Sequence, residues 1–100
     1  MLNINIDISN KKWLIVGGGQ VASRRIKKIL ESKGVVKVVG KSISKPIKNI
    51  GEKNKHIKIF ERSFRVVDLN STDFVIACTD DENLNNKIVQ ESRKRNILAS

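Results

Sequence analysis

An α/β fold, with a parallel sheet between two layers of helices, is predicted by three features of this 100-residue sequence. Short runs of apolar, largely β-branched residues recur at Trp13–Val16, Val35–Val39 and Phe74–Cys78, the pattern of strands covered on both faces. Segments with a helical period separate them. Three consecutive glycines, Gly17-Gly18-Gly19, stand where the first of these strands gives way to the first helix.

The elements follow in chain order. Leu2, Ile4, Ile6 and Ile8 alternate with polar residues, as in a half-exposed strand. Asn10-Lys11-Lys12 reads as a turn, and Trp13–Val16 as a buried strand ended by the glycines. From Val21 the period changes: Ala22, Ile26, Ile29 and Leu30 share one helix face, with Arg24, Arg25, Lys27 and Lys28 on the others. Gly34 is the expected stop. After the Val35–Val39 strand, the polar stretch 42–55 is broken by Pro46 and Gly51 and holds a short helix beginning near Lys45. Ile57–Phe60 is a third strand. Phe64 and the Asp68-Leu69 pair fall in a loop or a single helical turn. Phe74–Cys78 is the fourth, buried strand. Asp80 or Asp81 caps a helix running to about Asn96, with Leu84, Ile88 and Val89 inward. Ile97-Leu98-Ala99 begins a fifth strand. Strands joined by right-handed helical crossovers give a three-layer, doubly wound sheet of the Rossmann type.

A chain of this length forms one domain with one core. No apolar run approaches the roughly 20 residues that cross a bilayer, and MLNINIDISNKK lacks the basic start of a signal peptide. The single cysteine, Cys78, sits in an apolar run and reads as a buried structural thiol. Together these place the chain in the cytoplasm, away from membranes. The formal net charge of +10 fits nucleic acid, an anionic small molecule or a solvated basic surface. Nucleic acid is disfavoured: with no Tyr, one Trp and three Phe, the chain lacks aromatics for base stacking.

Gly17-Gly18-Gly19-Gln20-Val21-Ala22 fits G-x-G-x-x-A between a strand and a helix, the context that a dinucleotide-binding loop requires. Gly17 makes the tight turn, Gly19 lets a pyrophosphate approach the backbone, and Ala22 lets helix and strand pack closely. The N–H groups of the first helical turn then face the phosphates. A usual NAD site also has Asp or Glu about 20 residues on, to bind the ribose. Here the second strand ends Val38-Val39-Gly40-Lys41-Ser42-Ile43 without a carboxylate, so Ser42 and the backbone are the candidate ribose contacts. The residues alone leave NAD and NADP both open. Thr79 and Asp80, after the fourth strand, would line the cofactor crevice, while Asp80 and Asp81 equally suit helix capping. No metal site is expected, because no His joins these acids. His56 reads as a surface residue.

V-G-G-G-Q-V-A-S-R-R at 16–25, R-S-F-x-x-x-D-L at 62–69 and A-C-T-D-D-x-x-L-N at 77–85 together resemble the N-terminal domain of the siroheme synthase family. These are precorrin-2 dehydrogenases, some of which are also sirohydrochlorin ferrochelatases. The resemblance spans nearly the whole chain. It implies NAD-dependent oxidation of precorrin-2 to sirohydrochlorin, with cofactor contacts at Gly19, Gln20 and Val21, at Ser42 and Ile43, and at Thr79. It also implies a homodimer when full length, and an anionic tetrapyrrole substrate suited to a basic partner. The family's proposed catalytic aspartate follows the fifth strand, beyond Ser100. These residues are therefore expected to be the cofactor-binding portion, with no catalytic residue among them. Arg24, Arg25 and Lys41 are candidates for steering carboxylates. The competing expectation is a non-catalytic nucleotide-sensing module, although such modules usually carry the acid missing here.

Overall fold

The structure is a computed structural model that describes residues 9–100. The alternating segment at Leu2, Ile4, Ile6 and Ile8 lies outside them. Among the described residues, five strands form one sheet in the order β3-β2-β1-β4-β5, and every pairing between them is parallel. They are β1 (Lys12–Val16), β2 (Val35–Gly40), β3 (Ile57–Glu61), β4 (Phe74–Ala77) and β5 (Leu98–Ala99). Helices α1 (Gln20–Glu31), α2 (Lys45–Lys53) and α3 (Glu82–Lys94) connect them, with a single 3₁₀ turn over Val66–Leu69. The chain moves outward from β1 to β3, then returns to pair β4 with the other side of β1. Strand order therefore reverses between β1 and β4, where ligands of doubly wound sheets bind.

Side chains alternate across the sheet and divide the core in two. Ile15, Val36, Val38 and Ile57 pack with Ala22, Ile26 and Ile29 of α1 and Ile47 of α2. Leu14, Val16, Val39 and Val75 face the other way, with Ile88 of α3, Leu69 and Ile97. This division confirms the three layers and the strand assignments, each within a residue or two. The N-terminal turn is shorter than expected: Asn10 takes positive φ, and Lys12 already belongs to β1.

The end of α1 differs from expectation in its mechanism. Lys33, not Gly34, takes the left-handed conformation. The Lys33 and Gly34 N–H groups donate to the Leu30 and Ile29 carbonyls, both at 3.0 Å, which is a Schellman closure with Lys at its left-handed position. Gly34 is required for room instead, since a Cβ there would stand 2.7 Å from Ile29 Cγ2 and 3.1 Å from the Trp13 ring. Helix α3 closes in the same way: Asn96 takes positive φ, and Ile97 N–H donates to the Ser92 carbonyl at 2.9 Å.

Among the described residues, one charged group lies fully inside. The Asp68 side chain is 1% exposed and accepts two hydrogen bonds from the Arg62 guanidinium, at 2.6 and 2.9 Å. Arg65 N–H adds a third at 2.8 Å, and Lys37 Nζ lies 3.2 Å away. Burial alone would push the Asp68 carboxyl up, but these partners overcome it and hold it well below the usual range. Lys37 and Arg62 both lie 5.4 Å from the Phe60 ring centre. The R-S-F-x-x-x-D-L segment is thus a fold element: Arg62 and Asp68 pair, while Phe64 and Leu69 pack into the second half of the core.

Candidate dinucleotide site

Three loops meet at the carboxyl ends of β1, β2 and β4. Gly17 has φ +135°, a conformation costly for any residue with a Cβ, and an added Cβ would stand 2.7 Å from the Cys78 carbonyl oxygen. This position locks the turn against the β4–α3 loop. Gly18, the variable position of the motif, faces the β2–α2 loop at still closer quarters. A Cβ there would collide with the Ser42 carbonyl oxygen and approach Ile43 Cα to 2.9 Å, and the Ser44 N–H donates to the Gly18 carbonyl at 2.9 Å. Gly19 is the opposite case: nothing lies within 4 Å of its would-be Cβ. It is the N-cap of α1, with no side chain capping the helix and no acid in the first turn. The open Gly19 face and the first N–H groups of a twelve-residue helix thus form a cradle with a positive end.

The residues expected from sequence fall at this junction. Gly19, Gln20, Val21 and Ser42 are exposed at it, and Val21 is 54% exposed despite being apolar. Gly17 is buried beneath. Ile43 differs from its neighbours: its side chain is core, packed under Gly18 and Gly40, and its N–H is taken by Glu61 at 2.9 Å. Its role toward a ligand is to support the loop. Cys78 is half-buried rather than fully buried; burial raises its thiol pKa, and nearby Arg25 opposes the rise. Arg24, Arg25 and Lys41 are exposed.

Thr79 is held by a residue to which sequence reasoning gave no role. Its N–H and hydroxyl both bond Asn85 Oδ1, at 3.0 and 2.6 Å, and Asn85 Nδ2 returns a bond to the Thr79 carbonyl at 3.0 Å. Asp81 caps α3 by accepting from Leu84 N–H at 3.2 Å, which settles its capping role, while Asp80 stays exposed. The T-D-D-x-x-L-N segment therefore builds its own helix start, with Asn85 as the clamp. Replacing Asn85 by Ala removes all three bonds. We expect a loss of about 1–3 kcal/mol in stability, read as a lower urea midpoint, with proteolytic resistance lost first at residues 78–81.

A dinucleotide fits these residues. The Gly19 face would accept a pyrophosphate against the first turn of α1, with Gln20 and Val21 as backbone donors. Ser44 Oγ, beside this cradle in the β2–α2 loop, is buried without a hydrogen-bond partner among the described residues, a condition that polar atoms avoid unless something else satisfies them.

The sequence model of a family described as "Putative NAD(P)-binding" matches residues 4–100. The chain belongs to that NAD(P)-binding family. Among curated proteins, it is 36% identical to a siroheme synthase of Ruthia magnifica over 96% of this chain and 20% of that protein. It is 32% identical to a protein of Methanocaldococcus jannaschii named "Putative precorrin-2 dehydrogenase", over 96% of this chain and 50% of the other. The solved structure of SirC, a precorrin-2 dehydrogenase, superposes with a TM-score of 0.82 at 28% identity, covering 100% of this chain and 48% of that one. The chain thus spans from a fifth to half the length of these members and relatives. No helix among the described residues is long and apolar enough to cross a membrane.

Proposed function

We propose that this chain is the NAD-binding domain of a precorrin-2 dehydrogenase, which oxidises precorrin-2 to sirohydrochlorin in siroheme synthesis. The observation that supports this most is the open Gly19 face at the start of an uncapped helix, in a chain whose relatives at 32–36% identity bear the names siroheme synthase and precorrin-2 dehydrogenase. Bound NAD supplies the hydride acceptor. The chain's own part is to hold it. Gly19, Gln20 and Val21 receive the pyrophosphate, Ser42 and the loop supported by Ile43 receive the adenosine ribose, and Thr79, fixed by Asn85, borders the crevice. Gly17 sets the turn that brings these together. We assign no proton-transfer residue within residues 1–100; Asp80 and Asp81 are a solvated acid and a helix cap.

The net charge of +10 suits a polycarboxylate substrate, because opposite charge raises its local concentration. Arg24 and Arg25, on the helix that follows the glycine loop, and Lys41, just after β2, are exposed and are proposed to steer it. In this reading the protein acts in the cytoplasm as a homodimer, and dimer contacts and the rest of the tetrapyrrole cleft come from chain outside residues 1–100. Any ferrochelatase activity belongs to the full-length protein.

The test uses the full natural chain. Anaerobic mixing with precorrin-2 and NAD should raise NADH absorbance in step with sirohydrochlorin formation. NAD binding without turnover would favour a nucleotide-sensing module instead, and steeply salt-dependent binding to DNA without NAD binding would favour neither.

A further inference from the structure

The acid that dinucleotide sites carry after the second strand is missing from the sequence there, but not from the space. β3 runs parallel to β2, and the register sets Glu61 opposite Gly40, the last residue of β2. Glu61 is itself the last residue of β3. Its carboxylate therefore emerges at the same end of the sheet as the β2–α2 loop. Oε2 accepts from Ile43 N–H at 2.9 Å and pairs with Lys48 Nζ at 3.4 Å. Oε1 makes no hydrogen bond or ion pair with a described residue, and the side chain is 46% exposed. The hydrogen bond from Ile43 N–H, then Lys48, hold its pKa below the ordinary value, so the group is ionised at neutral pH. A carboxylate thus stands anchored by one oxygen and open at the other, beside Ser42 and Ile43.

We propose that Glu61 is the acid of the ribose pocket: its open oxygen accepts the adenosine 2′-hydroxyl of NAD, and its charge excludes the 2′-phosphate of NADP. The inference rests on the dinucleotide reading above. A hydroxyl donating to an ionised carboxylate makes a charge-assisted bond. A phosphate at the same place brings like charge and no proton to donate, so one group serves attraction and rejection together. The rest of the loop has the opposite bias. Lys41, Lys45 and Lys48 surround it in sequence, and without Glu61 they would favour the extra phosphate. Glu61 offsets Lys48 directly and sets the sign of the preference.

The experiment is calorimetric titration of NAD and NADP into the full natural protein and its Glu61→Gln variant. Glutamine keeps an acceptor for Ile43 N–H and removes only the charge. The wild type is expected to bind NAD more tightly, and the variant's NADP-to-NAD affinity ratio should rise at least about tenfold. Glu61→Lys should move the ratio further and invert it. A ratio unchanged in both variants, with both affinities falling together, would show that Glu61 only braces the loop and would overturn the proposal. A wild-type preference for NADP would overturn it too. Failure of the wild type to bind either dinucleotide would instead remove the reading on which it rests.

Discussion

Gly18→Ala and Gly19→Ala, adjacent and chemically identical changes, should differ in their effect on stability and share one effect on NAD: the first destabilises the fold, the second leaves it unchanged, and both weaken NAD binding. At Gly18 the new methyl meets the Ser42 carbonyl and Ile43 Cα. Both are backbone, so no rotamer change relieves the clash, and the whole 41–44 loop must move. Overpacking of this kind costs about 1–3 kcal/mol or more, a drop of several degrees in melting temperature for a domain this size. At Gly19 the methyl enters open space, and the φ of −97° and ψ of −158° suit an L-residue. Stability should stay within about 0.5 kcal/mol of wild type. NAD affinity should fall more than about tenfold in each: in the first because the loops no longer meet, in the second because the methyl occupies the phosphate's place. Thermal melts alongside calorimetric titration separate the two. Full NAD binding by the Gly19→Ala protein would remove the pyrophosphate from that face.

Replacing Asp68 by Asn should be the most damaging single change away from the site. It leaves the Arg62 guanidinium and the Lys37 ammonium facing a neutral amide in a place 1% exposed. Breaking one side of a buried charge network costs about 3–5 kcal/mol, a large share of the roughly 5–15 kcal/mol that holds a domain together. Arg62 can turn toward solvent, which places the effect at the lower end. Urea unfolding at pH 7 measures it. The same group sets an acid limit. The folded carboxyl titrates below its ordinary value of 3.8, so the unfolded chain binds the proton more readily and stability falls as pH drops. The contribution is whole above about pH 4 and is lost progressively below it. The wild-type midpoint should therefore show a component of acid loss below pH 4 that the Asp68→Asn protein lacks. Equal slopes in both proteins would mean that Asp68 is not the titrating group.

The elements themselves were legible because each rests on local chemistry. Trp13–Val16 and Phe74–Ala77 are apolar throughout, since strands covered on both faces admit nothing else. Ala22, Ile26 and Ile29 mark one face of α1 by period alone. Gly17 and Gly19 announce their roles by position between strand and helix, and the motif segments that carried the family resemblance are the ones that the structure shows bonding internally: Arg62 to Asp68, Thr79 to Asn85. Less legible were features that depend on a neighbour distant in the chain. The motif treats position 18 as free, yet the packing of Ser42 and Ile43 makes it the tightest of the three glycines. Lys33 took the left-handed position assigned to Gly34, because Ile29 and Trp13 needed the space at Gly34 more than the turn needed a glycine at its corner.

Glu61 shows where the division lies. The sequence by itself determined that there is a parallel sheet, that a glycine loop leads into the first helix, and that no acid follows the second strand. These follow from periodicity and residue type, which act over a few residues. Only the tertiary structure decided that an acid stands there after all. The register that sets Glu61 opposite Gly40 is a property of two strands joined through a helix. Hydrogen-bond pairing and the burial of alternate side chains on a shared face select it, and no window of sequence contains both.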